Sequence, residues 1–81
     1  MNEHLVEAVL GAASFFEFSG DEDCDPDLAV KQLEAIADGL RQMSAAEQDE
    51  FRRFAYRSAD AHPSGADLRQ LVDALLPLAD G

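Results

Sequence analysis

Apolar residues recur at helical spacing in four segments of the chain, and no segment shows the strict alternation typical of a β-strand. The segments cover approximately residues 3–18, 26–43, 45–60 and 65–76. Because the connections between them are short, consecutive helices are expected to pack antiparallel to one another. The pattern therefore predicts an all-α fold, a single-domain antiparallel four-helix bundle over residues 1–81.

Three of the segments have a clear inward face. In the second, the face consists of Ala29, Leu33, Ile36, Ala37, Leu40 and Met43. In the third, it consists of Phe51, Phe54, Ala55 and Ser58. In the fourth, it consists of Leu68, Leu71, Val72 and Leu75. These faces have the spacing of amphipathic helices that bury one side in a shared core.

The first segment is apolar around most of its circumference. One predicted core stripe contains Leu5, Val9, Ala12 and Phe16, and a second stripe of Val6, Leu10 and Ala13 widens it. A helix that is apolar on so many sides is either central to the bundle or partly covered by a binding partner.

Helix boundaries are indicated by capping residues. Asp25 is a predicted N-cap followed by Pro26 in the first helical position. Ser44 and Glu47 form a predicted capping box, and Ser64 with Asp67 has the same spacing with a shorter acid. Pro77 should end the last helix and leave residues 78–81 as a tail. On the third helix, the spacing predicts a solvated, self-paired arginine face, with Asp49 and Arg53 as one i,i+4 ion pair.

The charge of the chain is strongly negative and unevenly distributed. The net charge is −11, and residues 1–30 contain eight acidic residues but no Lys or Arg. Binding to nucleic acid or to an anionic membrane requires a basic face, so both are excluded as direct partners. A concentrated acidic region favours a basic protein partner, such as a nuclease toxin or a nucleic-acid-binding protein.

The chain has few features of a secreted or membrane protein. Cys24 is the only cysteine, so an intrachain disulfide is excluded. The N-terminus lacks the basic residues of a signal peptide. Glu7 and Glu17 interrupt the first apolar segment, so it is not expected to span a membrane. The expected setting is the cytoplasm, as for many small acidic bacterial proteins.

Residues that could carry chemistry are sparse. His4, His62 and Cys24 are not arranged with a nucleophile or base in any recognisable pattern, so no enzyme activity and no cofactor are expected. Asp21, Asp23 and Asp25 have the spacing of the first three ligands of a calcium loop. However, Pro26 and Gln32 stand where that loop needs Gly and Glu. No metal ligand is therefore assigned, and a weak divalent-metal site is kept as an alternative.

Residues 62–68, His-Pro-Ser-Gly-Ala-Asp-Leu, resemble the His-Pro-Ser-Gly-x-Asp-Leu turn of colicin- and pyocin-type nuclease immunity proteins. The resemblance implies a small acidic four-helix protein that neutralises a basic nuclease toxin. In that family the turn leads into a helix with paired tyrosines that contact the toxin. Gln70 and Leu71 occupy those positions here. Asp67 is thus the one toxin-contacting position that the resemblance carries over.

The leading hypothesis is an acidic module that binds a basic protein, as an inhibitor or immunity protein does. Its predicted contact residues are the acids Asp21, Glu22, Asp23, Asp25 and Asp27, the apolar anchors Phe15, Phe16 and Phe18, and Asp67. The main alternative is a structural or adaptor subunit that forms a homodimer through the apolar face of the first helix.

Overall fold

The computed structural model describes residues 1–77, and within them it contains four α-helices and no β-strand. The helices are α1 (Glu3–Phe18), α2 (Pro26–Arg41), α3 (Ala45–Asp60) and α4 (Gly65–Leu75). They pack into a four-helix bundle, which confirms the predicted fold class. The predicted tail at 78–81 lies outside the described residues.

Side-chain caps start three of the four helices. The Asn2 side chain accepts hydrogen bonds from the backbone N–H groups of His4 and Leu5 and so caps α1. Asp25 accepts from Asp27 N at 3.0 Å and caps α2. Ser44 and Glu47 form the reciprocal bonds of a capping box at the start of α3. The predicted caps of α2 and α3 are therefore confirmed.

The predicted cap at the start of α4 is wrong. Ser64 makes no side-chain capping bond, because its backbone (φ −99°, ψ 34°) is not in the extended conformation that an N-cap residue usually adopts. Its N–H instead donates to His62 Nδ1 at 3.0 Å. The turn between α3 and α4 is thus held by the histidine side chain.

Two helices end slightly earlier than predicted. The N–H groups of Gln42 and Met43 donate to the carbonyls of Gly39 and Leu40, three residues back. This spacing tightens the last turn of α2, and the helix ends at Arg41. Helix α4 ends at Leu75 because the next residue precedes Pro77, and that position disfavours helical backbone.

The core is formed by all four helices. Its buried residues are Val6, Leu10, Ala13, Ala37, Leu40, Phe51, Ala55, Leu71, Val72, Leu75 and Leu76. All four predicted inward residues of α4 are buried, whereas Leu33, Ile36, Met43 and Phe54 are half-buried at the edge of the core. The inward faces of α2, α3 and α4 are therefore largely as predicted.

Of the two apolar stripes of α1, the second is the buried one, and from the first Val9 packs against the core while Phe16 is half-buried. The residues that face the core are Val6, Leu10 and Ala13, which were expected only to widen the main stripe. Leu5 is 64% exposed, and Ala12 is also on the surface. Both stripes are apolar, so the choice between them depends on how α1 packs against α3 and α4.

The ion pair predicted between Asp49 and Arg53 is also wrong. Asp49 pairs instead with Arg52, one residue earlier. Arg52 is largely buried, and its guanidinium also reaches the carbonyl of Leu76 at 3.5 Å. The third helix therefore turns one arginine toward the end of α4, so the predicted self-paired arginine face is not fully solvated.

The helices do not contact one another equally. Helix α3 packs most extensively on α4, and α1 packs most extensively on α2. Helices α2 and α3 contact each other least, although only a short connection separates them. Helices α1 and α4 each contact all three of the other helices. Over residues 1–77, no helix has the length and apolar character needed to cross a membrane.

Candidate protein-binding surface

Large apolar side chains are exposed at the end of the molecule where α1 passes into α2. Phe15 and Phe18, in the last turn of α1, are 50% and 53% exposed. Leu28 and Val30, near the start of α2, are 48% and 53% exposed. Each of these side chains leaves much of its apolar area in water. All four are candidate apolar anchors near the α1–α2 connection, but Leu28 and Val30 lie on either side of the buried Ala29 and do not share one face of α2.

An acidic segment, residues 21–27, lies between these two pairs of apolar residues. Its five acidic side chains are all exposed: Asp21, Glu22, Asp23, Asp25 and Asp27. The backbone of the connection turns tightly, because the N–H groups of Asp23 and Cys24 both donate to the carbonyl of Gly20. We call the exposed Phe15, Phe18, Leu28 and Val30, together with the acidic segment, the α1–α2 patch.

No acid of the segment is in an ion pair within residues 1–77, although Lys31 follows Asp27 by one turn of α2. In the part of the chain that the structure describes, the acids in ion pairs are Asp49, Glu50 and Asp60. All three belong to α3. The negative charge of the acidic segment is therefore available to an outside partner.

Two of the basic side chains, Arg52 and Arg69, are in ion pairs, and Arg69 lies between α3 and α4. Arg69 donates two hydrogen bonds to Asp60, at 2.7 and 2.9 Å, and its guanidinium lies 4.6 Å from the centre of the Tyr56 ring. The hydrogen bond from Arg69 lowers the pKa of Asp60 below its ordinary value. Tyr56 donates to Asp73, and this bond raises the pKa of the phenol. These groups satisfy one another, whereas Lys31, Arg41, Arg53 and Arg57 are exposed.

The three aspartates with calcium-loop spacing are not gathered around a common point. Among residues 1–77, no group of three or more His, Cys, Asp or Glu side chains is placed to hold a metal ion. One Asp25 oxygen already accepts the N–H of Asp27 as a helix cap. The geometry of the acidic segment therefore gives no support to the divalent-metal alternative.

Phe16 differs from its two phenylalanine neighbours. It is half-buried, and its ring meets that of Phe15 edge-on, with the centroids 5.5 Å apart. It also lines a cleft of about 200 Å³ together with Asp21, Cys24 and Val30. Phe16 thus supports the position of Phe15 and the acidic segment, whereas Phe15 and Phe18 offer the larger exposed rings.

Asp67 lies in the first turn of α4 and is exposed. It lines a groove of about 520 Å³ that also includes Phe18, so the structure brings these two predicted contact residues to the same groove. The positions that correspond to the tyrosines of immunity proteins differ in exposure: Gln70 is exposed, whereas Leu71 is buried in the core.

No family model matches the chain, and comparisons with curated proteins and with solved structures found no significant match.

The sequence interpretation missed several residues of this surface. Leu28 and Val30 flank the buried Ala29 and lie outside the inward face of α2. Their position relative to that face could have predicted that they are exposed. Glu7 on α1 and His62 after α3 were not connected with Phe18, although they line the same groove. They come together only through the packing of α1 against the α3–α4 turn, which no local pattern reveals.

Proposed function

We propose that this protein is an acidic binding module that docks on a basic surface of another protein, as an inhibitor or immunity-type partner does. The observation that carries the proposal is the α1–α2 patch, in which half-exposed phenylalanines adjoin an acidic segment whose side chains are in no ion pair within residues 1–77. Protein interfaces commonly combine a few aromatic anchors with charged groups around them.

Binding would occur in two stages. The acidic segment attracts a basic partner over distances of about 10 Å at ~0.1 M salt and speeds the encounter. Phe15 and Phe18 are then buried against the partner, and this step supplies most of the affinity. The local resemblance at residues 62–68 supports the same class of function, since immunity proteins are acidic proteins that neutralise basic toxins.

The acidic segment can be tested without damage to the fold. Asp25 caps α2, so the variant should leave it intact and combine Asp21→Asn with Asp23→Asn. The matched control, Glu34→Gln with Asp38→Asn, removes the same two charges from exposed positions farther along α2. The partner is captured from a lysate of the source organism on the immobilised wild-type protein and is then purified, and its affinity for each variant is measured by calorimetry.

We expect a basic partner whose Kd rises at least tenfold with the segment variant and about twofold or less with the control, since local charges matter more than net charge. Higher salt should weaken the wild-type complex. Phe15→Ala should also weaken it, through faster dissociation. An equal loss for segment variant and control, or capture of a partner that is not basic, would contradict the proposal.

A second candidate function is self-association as a structural or adaptor subunit. The observation that favours it is a groove of about 420 Å³ between α1 and α2, lined only by glycine and apolar residues: Ala8, Val9, Ala12, Ala35, Ile36, Gly39 and Leu40. Leu5, 64% exposed, adds a further apolar side chain on α1. A second copy of the chain could cover this surface as a homodimer.

A further inference from the structure

A groove runs between α1, the end of α3 and the start of α4. Its volume is about 520 Å³, within the range of roughly 300–1,000 Å³ that is usual for binding pockets. Helix α1 contributes Glu7, Gly11 and Phe18 to its walls, and the α3–α4 turn and α4 contribute His62 and Asp67. It is thus lined by chemically mixed side chains, unlike the apolar groove between α1 and α2.

The groove is suited to a cation. Glu7 and Asp67 place carboxylates on walls from two different helices, and neither is among the ion pairs of residues 1–77. No Lys or Arg lines the groove. His62 accepts the Ser64 N–H at Nδ1, so its ring is held in place where the α3–α4 turn lines the groove.

Phe18 adds an aromatic side chain, 53% exposed, to the same groove. A guanidinium is planar, binds carboxylates through several N–H donors and stacks on aromatic rings. A lysine ammonium has a compact charge and makes less use of a ring. The combination of carboxylates and a phenylalanine therefore favours arginine over lysine.

We propose that this groove receives an arginine side chain of the basic protein partner. The inference rests on the proposed function and deepens it, because it adds a defined subsite outside the acidic segment. It also gives Asp67 a role: together with Glu7, it contacts the guanidinium, while Phe18 packs against the side chain.

Gly11 provides a way to close the groove. A Cβ at this position would meet no atom within 4 Å, so a side chain can start here from open space and extend into the groove that Gly11 lines. Gly39, also within a helix and also in open space, lies in the apolar groove between α1 and α2 instead. Gly11→Leu and Gly39→Leu are thus the same substitution in similar helical settings, one of which fills the arginine groove.

The test uses small probes and does not require the partner. N-acetyl-arginine methylamide and the neutral N-acetyl-citrulline methylamide are titrated into ¹⁵N-labelled protein at low salt, and the backbone amide shifts are followed. We expect saturable shifts around Gly11, Phe18 and Asp67 with the arginine probe, with a Kd on the order of millimolar. The citrulline probe should bind at least tenfold more weakly.

The variants give a second readout. Gly11→Leu should abolish the shifts caused by the arginine probe, while Gly39→Leu should retain them. Glu7→Gln combined with Asp67→Asn should raise the Kd at least threefold, with circular dichroism verifying that each variant is folded. Equal binding of the two probes, shifts confined to residues 21–27, unaltered binding by Gly11→Leu or no saturable shift at all would overturn the inference.

The experiments distinguish failure of the arginine-binding inference from failure of the proposed function. Asp21→Asn with Asp23→Asn should leave the probe titration unchanged, since these residues do not line the groove. If the probe fails to bind while those substitutions still weaken the protein partner, the binding-module proposal stands and the arginine subsite is wrong. If the probe binds but no basic partner is found, the groove is real and the proposed function is wrong.

Discussion

At the scale of single residues, packing within the protein explains the glycine in the turn at 62–65, and this explanation does not depend on any binding partner. Gly65 begins α4 directly against the end of α3. A Cβ at this position would lie 2.5 Å from the carbonyl oxygen of Ala59, which is closer than real Cβ contacts. The glycine of the His-Pro-Ser-Gly sequence is therefore required for close packing, and this requirement is separate from the proposed role of Asp67.

We predict that Gly65→Ala destabilises the protein by about 1–3 kcal/mol, because the added methyl group forces backbone atoms of α3 and α4 apart. Urea unfolding followed by circular dichroism measures the change. Gly39→Ala is the control: its Cβ has open space, so the same substitution should stabilise the helix by about 0.5–1 kcal/mol. Equal effects at the two glycines would show that the contact with Ala59 is not a constraint.

Arg52 shows how tertiary packing changes a local preference. Asp49 has an arginine both three and four residues farther along, and both spacings allow an ion pair. Arg52 is chosen because it faces α4, where its guanidinium also reaches the Leu76 carbonyl. Arg53 remains on the exposed side of the helix.

At the scale of helices, the boundaries are set mainly by local hydrogen bonds. The capping box of α3 is the clearest case: Glu47 N donates to Ser44 Oγ at 3.1 Å, and Ser44 N donates to Glu47 Oε1 at 3.0 Å. The pKa of the Glu47 carboxyl is lowered below its ordinary value of 4.5, mainly by the hydrogen bond with the Ser44 backbone and to a smaller extent by the one with the Ser44 side chain. Folding therefore favours the ionised form of Glu47.

This cap predicts a specific pH dependence. Ser44→Ala should cost about 1 kcal/mol of stability at neutral pH. Because the folded pKa of Glu47 is depressed, its stabilising effect is present above pH 4.5 and is lost as pH falls through the lower folded value. The stability difference between wild type and Glu47→Gln should therefore shrink between about pH 6 and pH 3 in thermal melts. A difference that stays constant over this range would contradict the role of the carboxylate.

At the scale of the whole molecule, the net charge of −11 affects its two candidate associations in opposite ways. A basic partner is attracted, so salt weakens that complex. A second copy of the chain is repelled, so salt would strengthen a homodimer held by the apolar groove between α1 and α2. The direction of the salt effect thus separates the two proposed functions.

We predict a monomer at micromolar concentration and low salt, because like charges oppose association and the apolar groove alone does not overcome them. Sedimentation equilibrium at low and high sodium chloride measures the mass directly. A dimer at low salt would favour the structural-subunit hypothesis, particularly if Ala12→Glu in the groove returned the protein to a monomer. A monomer at every salt concentration would contradict the hypothesis that a second copy of the chain covers the apolar surface of α1.

The sequence by itself determined the four helices, two of their caps and the inward faces of α2, α3 and α4. These features depend on residues within a few positions of one another, so helical periodicity and capping residues were sufficient. It also predicted an acidic segment next to candidate phenylalanine anchors, since residues 21–27 follow Phe15 and Phe18 closely in the chain.

Only the tertiary structure decided which stripe of α1 is buried. Val6, Leu10 and Ala13 enter the core in place of Leu5 and Ala12 because this face of α1 is the one directed at the other three helices. The same packing brings Glu7 to the groove that Asp67 lines, although sixty residues separate them in the sequence. Such placements depend on how several helices fill space together, and the spacing within any one helix does not contain that information.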